Sequence, residues 1–183
     1  MADLRMQRTA IVPGDWVLGS YDAPVTILEY GDLECPYCAA VRPVLEELVA
    51  ADPARTRLVF RHFPVTTLHA HARLAAESAE AAGAQGRFWE MHDMIFTHQD
   101  QLQEEHLRAF ARAVGVSDTA RFDRELRTGV YRAEVRDDFR RGVEDGVNGT
   151  PTLYINRRRY DGPRDRESLL RAIAALRDTA GVG

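Results

Sequence analysis

Apolar residues crowd into a few short blocks, and the spacing inside each block predicts its conformation. Val25 to Tyr30 (Val-Thr-Ile-Leu-Glu-Tyr) is apolar on both faces except for Glu29, a pattern that suits an interior strand of a sheet covered on both sides. Gly31-Asp32 breaks that run. From Pro36 to about Ala50 the positions Val41, Val44, Leu45 and Leu48 recur at three- and four-residue spacing, which predicts a helix. Pro43 inside it removes one ladder bond and predicts a kink. Arg57 to Phe63 reads as a second strand, stopped by Pro64. Strand, helix, strand at these lengths is a βαβ unit with parallel pairing and a right-handed crossover.

Upstream, residues 1–24 read as a lead-in in which Trp16-Val17-Leu18-Gly19 forms a short strand or turn. Downstream, about 68 to 145 has almost no strand signal. Phe88, Met91 and Ile95 make one helical stripe, and Leu107, Phe110, Ala111 and Val114 make another. Phe122 and Leu126 fit a short helix that Ser117 or Asp118 caps, and Tyr131, Val135 and Phe139 recur every fourth residue. Gly83, Gly86, Gly115 and Gly129 punctuate the block as turns or helix ends. Thr152 to Ile155 is a third strand, paired across a short turn with Arg158 to Asp161. A last helix at about 166–177 carries Leu169, Leu170, Ile173 and Leu176 on one face. The expectation is one α/β domain over 1–183: a βαβ half (about 25–64), a helical insertion (about 68–145) and a ββα half (about 150–178) around a central mixed sheet.

Composition narrows the function. With 183 residues the chain buries a core large enough to hold without disulfides. The net charge of −4 leaves no electrostatic footprint for nucleic acid, and no run approaches the length of an apolar membrane span; neither partner is expected. All 24 basic side chains are arginine. Met1 to Met6 shows no basic segment followed by an apolar stretch, so a cytoplasmic address is expected; a chain whose leader had been removed would read the same, and would be periplasmic or extracellular.

The chemistry lies in Cys35-Pro36-Tyr37-Cys38, where a strand ends and a helix begins. Backbone N–H groups and the dipole at a helix N-terminus stabilise a thiolate, and Pro36 suits the first turn because its missing N–H is not needed there. Two intervening residues bring Cys38 within reach of Cys35. Cys35, at the exposed tip, is expected to be the nucleophile, and Cys38, a turn deeper, the resolving thiol. The competing reading is half a zinc site. Structural zinc needs a second ligand pair, and the remaining candidates are only His69-x-His71 and the isolated His62, His92, His98 and His106.

This motif after the strand Val25–Tyr30, with Gly149-Thr150-Pro151-Thr152 before a later strand and a helical block between them, resembles the DsbA-like thiol–disulfide oxidoreductases of the thioredoxin superfamily. The resemblance covers about residues 16 to 178. It implies a thioredoxin-like fold, a redox-active Cys35–Cys38 pair with no other cofactor, and protein or small-molecule thiols and disulfides as substrates, with an unnamed redox partner. It implies that Pro151 is cis and packs beside the disulfide, and that Thr150 offers its backbone to a substrate segment by strand addition. Pro36 and Tyr37 would line the same surface. It also matches Glu29 to a buried acid that exchanges protons with Cys38; the alternative is a carboxylate that reaches water. Asp32 and Glu34 flank the motif and are expected to oppose the thiolate. No cation stands between the cysteines, a departure that argues against strong oxidising power. A cytoplasmic protein of this kind favours reductase, isomerase or stress roles. Two other readings remain: a kappa-class glutathione transferase or isomerase, which resembles this fold but uses a serine near Cys35, and a non-catalytic metal-carrying or binding module.

Overall fold

The computed structural model describes residues 10–180, with side chains to 175; Met1–Met6 and the Leu176 side chain lie outside the described residues. The sheet has the order β1-β3-β2-β4-β5, from β1 (Trp16–Leu18), β2 (Val25–Gly31), β3 (Thr56–His62), β4 (Thr152–Ile155) and β5 (Arg158–Tyr160). β2 is central, parallel to β3 and antiparallel to β4. Every residue of β2 but Thr26 is buried, which is why its sequence is apolar almost throughout rather than alternating.

Alternation still decides which side each residue serves. Val25 and Ile27 face α1 (Pro36–Ala51) and α7 (Arg166–Ala180), packing with Val41, Leu45, Leu169 and Ile173. Leu28 and Tyr30 face the other way, with Val59, Phe63, Tyr154 and, from α6 (Arg132–Asp145), Phe139. Glu29 is thus sent to the α1 side with Val25 and Ile27. Pro43 is accommodated within α1.

Between β3 and β4 come α2 (Ala72–Gly83), α3 (Phe88–Thr97), α4 (Glu104–Ala113), α5 (Thr119–Thr128) and α6. Asp118 caps α5, its side chain accepting the Arg121 N–H at 2.8 Å. The helices of this block share a core with the redox motif: Leu33, Cys35, Cys38 and Phe60 cluster with Ala75, Phe88, Met91, Ile95 and Leu107. Phe88, Met91 and Phe96 are buried there. β1 is hooked to the same block, with Trp16 stacked on Phe88 at 4.3 Å and its Nε1 donating to Glu80 at 2.8 Å. Gly83 permits this, since a Cβ there would come within 2.4 Å of the Trp16 ring.

The β4–β5 hairpin forms across a short turn as expected, with β5 one residue shorter than Arg158 to Asp161. Asn156 and Arg157 alone form the turn, both at positive φ, the backbone that a two-residue turn between twisted strands requires. Arg158 and Arg159 lie in β5, which ends at Tyr160, and Arg159 is pinned to the Gly146 carbonyl at 2.8 Å.

Candidate functional site

β2 delivers the chain at Gly31 into a short turn. The Asp32 carboxylate accepts the Glu34 N–H at 2.8 Å and the Asp32 carbonyl accepts the Cys35 N–H at 3.0 Å. Cys35 is thereby set at the N-cap of α1, with Pro36 in the first turn and no acidic residue there to neutralise the helix end. Its Sγ lies 3.5 Å from the Thr150 carbonyl oxygen. Cys38, one turn on, accepts the Asp32 N–H at 3.5 Å.

The two sulfurs have opposite proton affinities. Cys35 is lowered to about 5. The Cys38 thiol donating to it is the chief cause; burial opposes the shift, and Thr150 and the backbone N–H groups of Cys38 and Tyr37 support it. Cys38 is pushed well above its ordinary value, first by burial, then by its bond to Cys35 and by the charges of Glu29 and Cys35. Their burial corrects one expectation. Cys35 is not an exposed tip: it keeps 3% of its surface, against 0% for Cys38. The reason is that the motif packs into the helical block's core and against the Thr150–Pro151 segment. Tyr37, 72% exposed, stands on the rim instead.

Glu29 is 1% exposed and its Oε1 has no hydrogen-bond partner among the described residues. Burial raises its carboxyl to about 8, with the charge at Cys35 adding to the rise and the Cys38 bond and Arg164 opposing it. Near neutral pH this acid is protonated next to the resolving thiol. The Thr150–Pro151 peptide is cis. It is held by Arg164, which donates to the Pro151 carbonyl at 2.9 Å.

Three further residues join the site without a local sequence signal. Gln99 Nε2 donates to the carbonyls of Leu33 at 2.9 Å and Cys35 at 3.0 Å. His69 and His71 reach the motif's own acids: His69 Nδ1 lies 2.8 Å from Asp32 Oδ2, and His71 Nδ1 lies 3.1 Å from Glu34 Oε1. Asp32 and Glu34 are therefore not bare charges opposing the thiolate, and the two histidines face carboxylates rather than each other. Their chain spacing, thirty-odd residues from the motif, carries no hint of this. Among the described residues, metal-type ligand atoms gather instead at Glu46, His92 and Asp93. A guanidinium already serves that cluster, with Arg42 Nη1 at 3.2 Å from Glu46 and 3.1 Å from Asp93.

A Cys-x-x-Cys pair at a helix N-terminus, over a buried acid and beside a Thr-Pro segment, on a sheet with an inserted helical block, defines a redox-type thioredoxin-like protein. The chain belongs to the thioredoxin family, whose model matches residues 12–175, and within that superfamily it is DsbA-like. A thioredoxin-like oxidoreductase from Silicibacter pomeroyi DSS-3 superposes with a TM-score of 0.82 at 28% identity, covering 97% of this chain and 99% of that one. DsbA2 from Pseudomonas aeruginosa superposes at 0.71 with 29% identity, covering 91% and 97%. In sequence, the chain is 42% identical over 159 residues to a protein named Na(+)/H(+) antiporter NhaA 3 from Salinispora tropica, covering 87% of this chain but 24% of that protein. The chain thus spans about a quarter of the length of the curated relatives it matches. Among the described residues no helix is long and apolar enough to cross a membrane.

Proposed function

We propose that this chain exchanges disulfides with protein or small-molecule thiols through Cys35 and Cys38. The observation that carries the reading is the opposed protonation of the two sulfurs, one a thiolate near neutral pH and its neighbour a held thiol. A thiolate is the nucleophile of exchange, and a protonated partner waits until the mixed disulfide has formed.

The Cys35 thiolate attacks one sulfur of a substrate disulfide, forming a mixed disulfide and expelling the other sulfur as a thiolate. Removal of that negative charge from Cys35 lowers the proton affinity of Glu29 and Cys38 alike; Glu29 gives its proton to the expelled thiolate or to water, and its carboxylate then accepts the proton of Cys38. The Cys38 thiolate then attacks the Cys35 sulfur. The second substrate thiol leaves, and two electrons have moved from the Cys35–Cys38 dithiol to the substrate. The reverse sequence oxidises a substrate dithiol. Stabilising the Cys35 thiolate stabilises the dithiol form, so it makes the disulfide a better electron acceptor. This favours the oxidising direction more than the dipeptide between the cysteines suggests. Thr150, whose carbonyl lies at Cys35, is positioned to pair with a substrate backbone.

The test is capture. Cys38→Ser should accumulate a mixed disulfide with a cysteine-containing substrate such as insulin, while Cys35→Ser should capture none. Equal capture by both variants would overturn the assignment.

A further inference from the structure

The span between the cysteines holds only Pro36 and Tyr37, so no cation of the motif itself faces the Cys35 sulfur. The loop between β3 and α2 brings a histidine from elsewhere in the chain to Asp32, just before the motif. Asp32 Oδ2 accepts the Val65 N–H at 2.7 Å and lies 2.8 Å from His69 Nδ1. Both ends of a five-residue stretch are therefore fastened to the residue that opens the motif. Asp32 is 1% exposed, and its own N–H reaches Cys38 Sγ. One step along, Glu34 accepts the His71 N–H at 2.6 Å and faces its ring.

A buried carboxylate beside a thiolate is repulsive unless a cation accompanies it. His69 is the group in a position to be that cation. Partial burial works against its imidazolium, but the Asp32 hydrogen bond and charge, then the charges of Cys35 and Glu34, outweigh it and raise its pKa above the ordinary 6.5. Those three groups face it from the motif segment; on its own loop the nearest titratable group is His71, which is engaged by Glu34.

We propose that His69 is a positioning residue for the redox pair: its imidazolium, locked on Asp32, offsets that buried carboxylate and so adds to the Cys38 thiol and the backbone N–H groups in favouring the Cys35 thiolate. The proposal rests on the disulfide-exchange reading and adds a residue to it. It also makes the redox couple proton-linked. Closing the disulfide removes the Cys35 charge, so His69 binds its proton less tightly in the oxidised chain than in the reduced one. Asp32 then has a weaker counter-ion, and reopening the pair restores it.

The experiment measures both ends of one coupling in the full chain. Cys35 ionisation is followed by thiolate ultraviolet absorbance in the reduced protein, native and His69→Gln. Glutamine keeps a donor for Asp32 but carries no charge. The Cys35 midpoint should rise by about one pH unit. His69 titration is followed by the ring proton resonance in native reduced protein and in Cys35→Ser. Its midpoint should fall by a matching amount, because linkage between two sites is reciprocal. A Cys35 midpoint unmoved by His69→Gln, or a His69 midpoint indifferent to Cys35→Ser, overturns the proposal. The second comparison stands even if His69→Gln fails to fold. Capture by Cys38→Ser is scored separately: its loss ends the exchange reading, whereas its persistence beside an unmoved Cys35 midpoint ends only the role of His69.

Discussion

Glu29 occupies a position where one atom's change has a calculable cost. Its carboxyl titrates at about 8 in the folded chain against an ordinary 4.5, so across that interval the native state holds a proton that the unfolded chain has released. Stability from this group is fully present below pH 4.5 and is lost as pH rises, by about 1.4 kcal/mol per pH unit until about pH 8. At pH 7 the loss amounts to about 3 kcal/mol. Glutamine at this position has no proton to surrender. The stability of Glu29→Gln minus that of the native chain should therefore be level below pH 4.5, climb in the variant's favour to about pH 8, and level again. Cys35 has the opposite sign. Lowered to about 5 from 9.0, it adds stability as pH rises through that window, but it does so in both proteins and largely cancels in the difference. Urea unfolding of both, reduced, at pH steps across the range gives the curve directly. A difference that stays flat with pH would refute the buried, proton-holding state of Glu29. The same variant should slow disulfide exchange near neutral pH, because the Cys38 proton loses its acceptor.

Gln99→Ala should leave the carbonyls of Leu33 and Cys35 without the donor they share, costing about 1–3 kcal/mol and broadening the Cys35 environment in NMR spectra; unchanged unfolding would show that water replaces the amide at no cost. Arg61 has no side-chain exposure and bonds Asp15, Tyr30 and the Ala10 carbonyl. Arg61→Met should strand the Asp15 carboxylate and cost about 3–5 kcal/mol, with part recovered when Asp15→Asn is added; a loss below about 1 kcal/mol would mean the carboxylate finds water.

The redox pair was legible because the motif that carries its sulfurs is local. Cys35, Pro36 and Cys38 lie within four successive positions, and a strand end followed by a helical pattern places them at a helix N-terminus whatever the rest of the chain does. The interior character of Val25–Tyr30 was legible for a similar reason, since residues apolar on both faces have no stable place outside a covered sheet. The β4–β5 pairing was legible to within one residue, whereas the geometry of its turn was not, because that depends on which residues accept positive φ, here Asn156 and Arg157. Burial of Cys35 was misjudged because exposure is a property of what packs against a residue. The helices between 72 and 145 close over the motif from a distance that no local pattern records.

The electrostatics followed the same division. Read along the chain, Asp32 and Glu34 were two negative charges beside a thiol; folded, they are two anchors for His69 and His71. By itself, the order of residues determined the sulfur chemistry, the strand–helix frame that presents it and the apolar core. Only the tertiary structure decided how deeply the pair is buried and which distant groups meet it, because those depend on contacts within a few ångströms, and the chain brings Thr150 to Cys35 and Glu29 to Cys38 by folding rather than by sequence proximity.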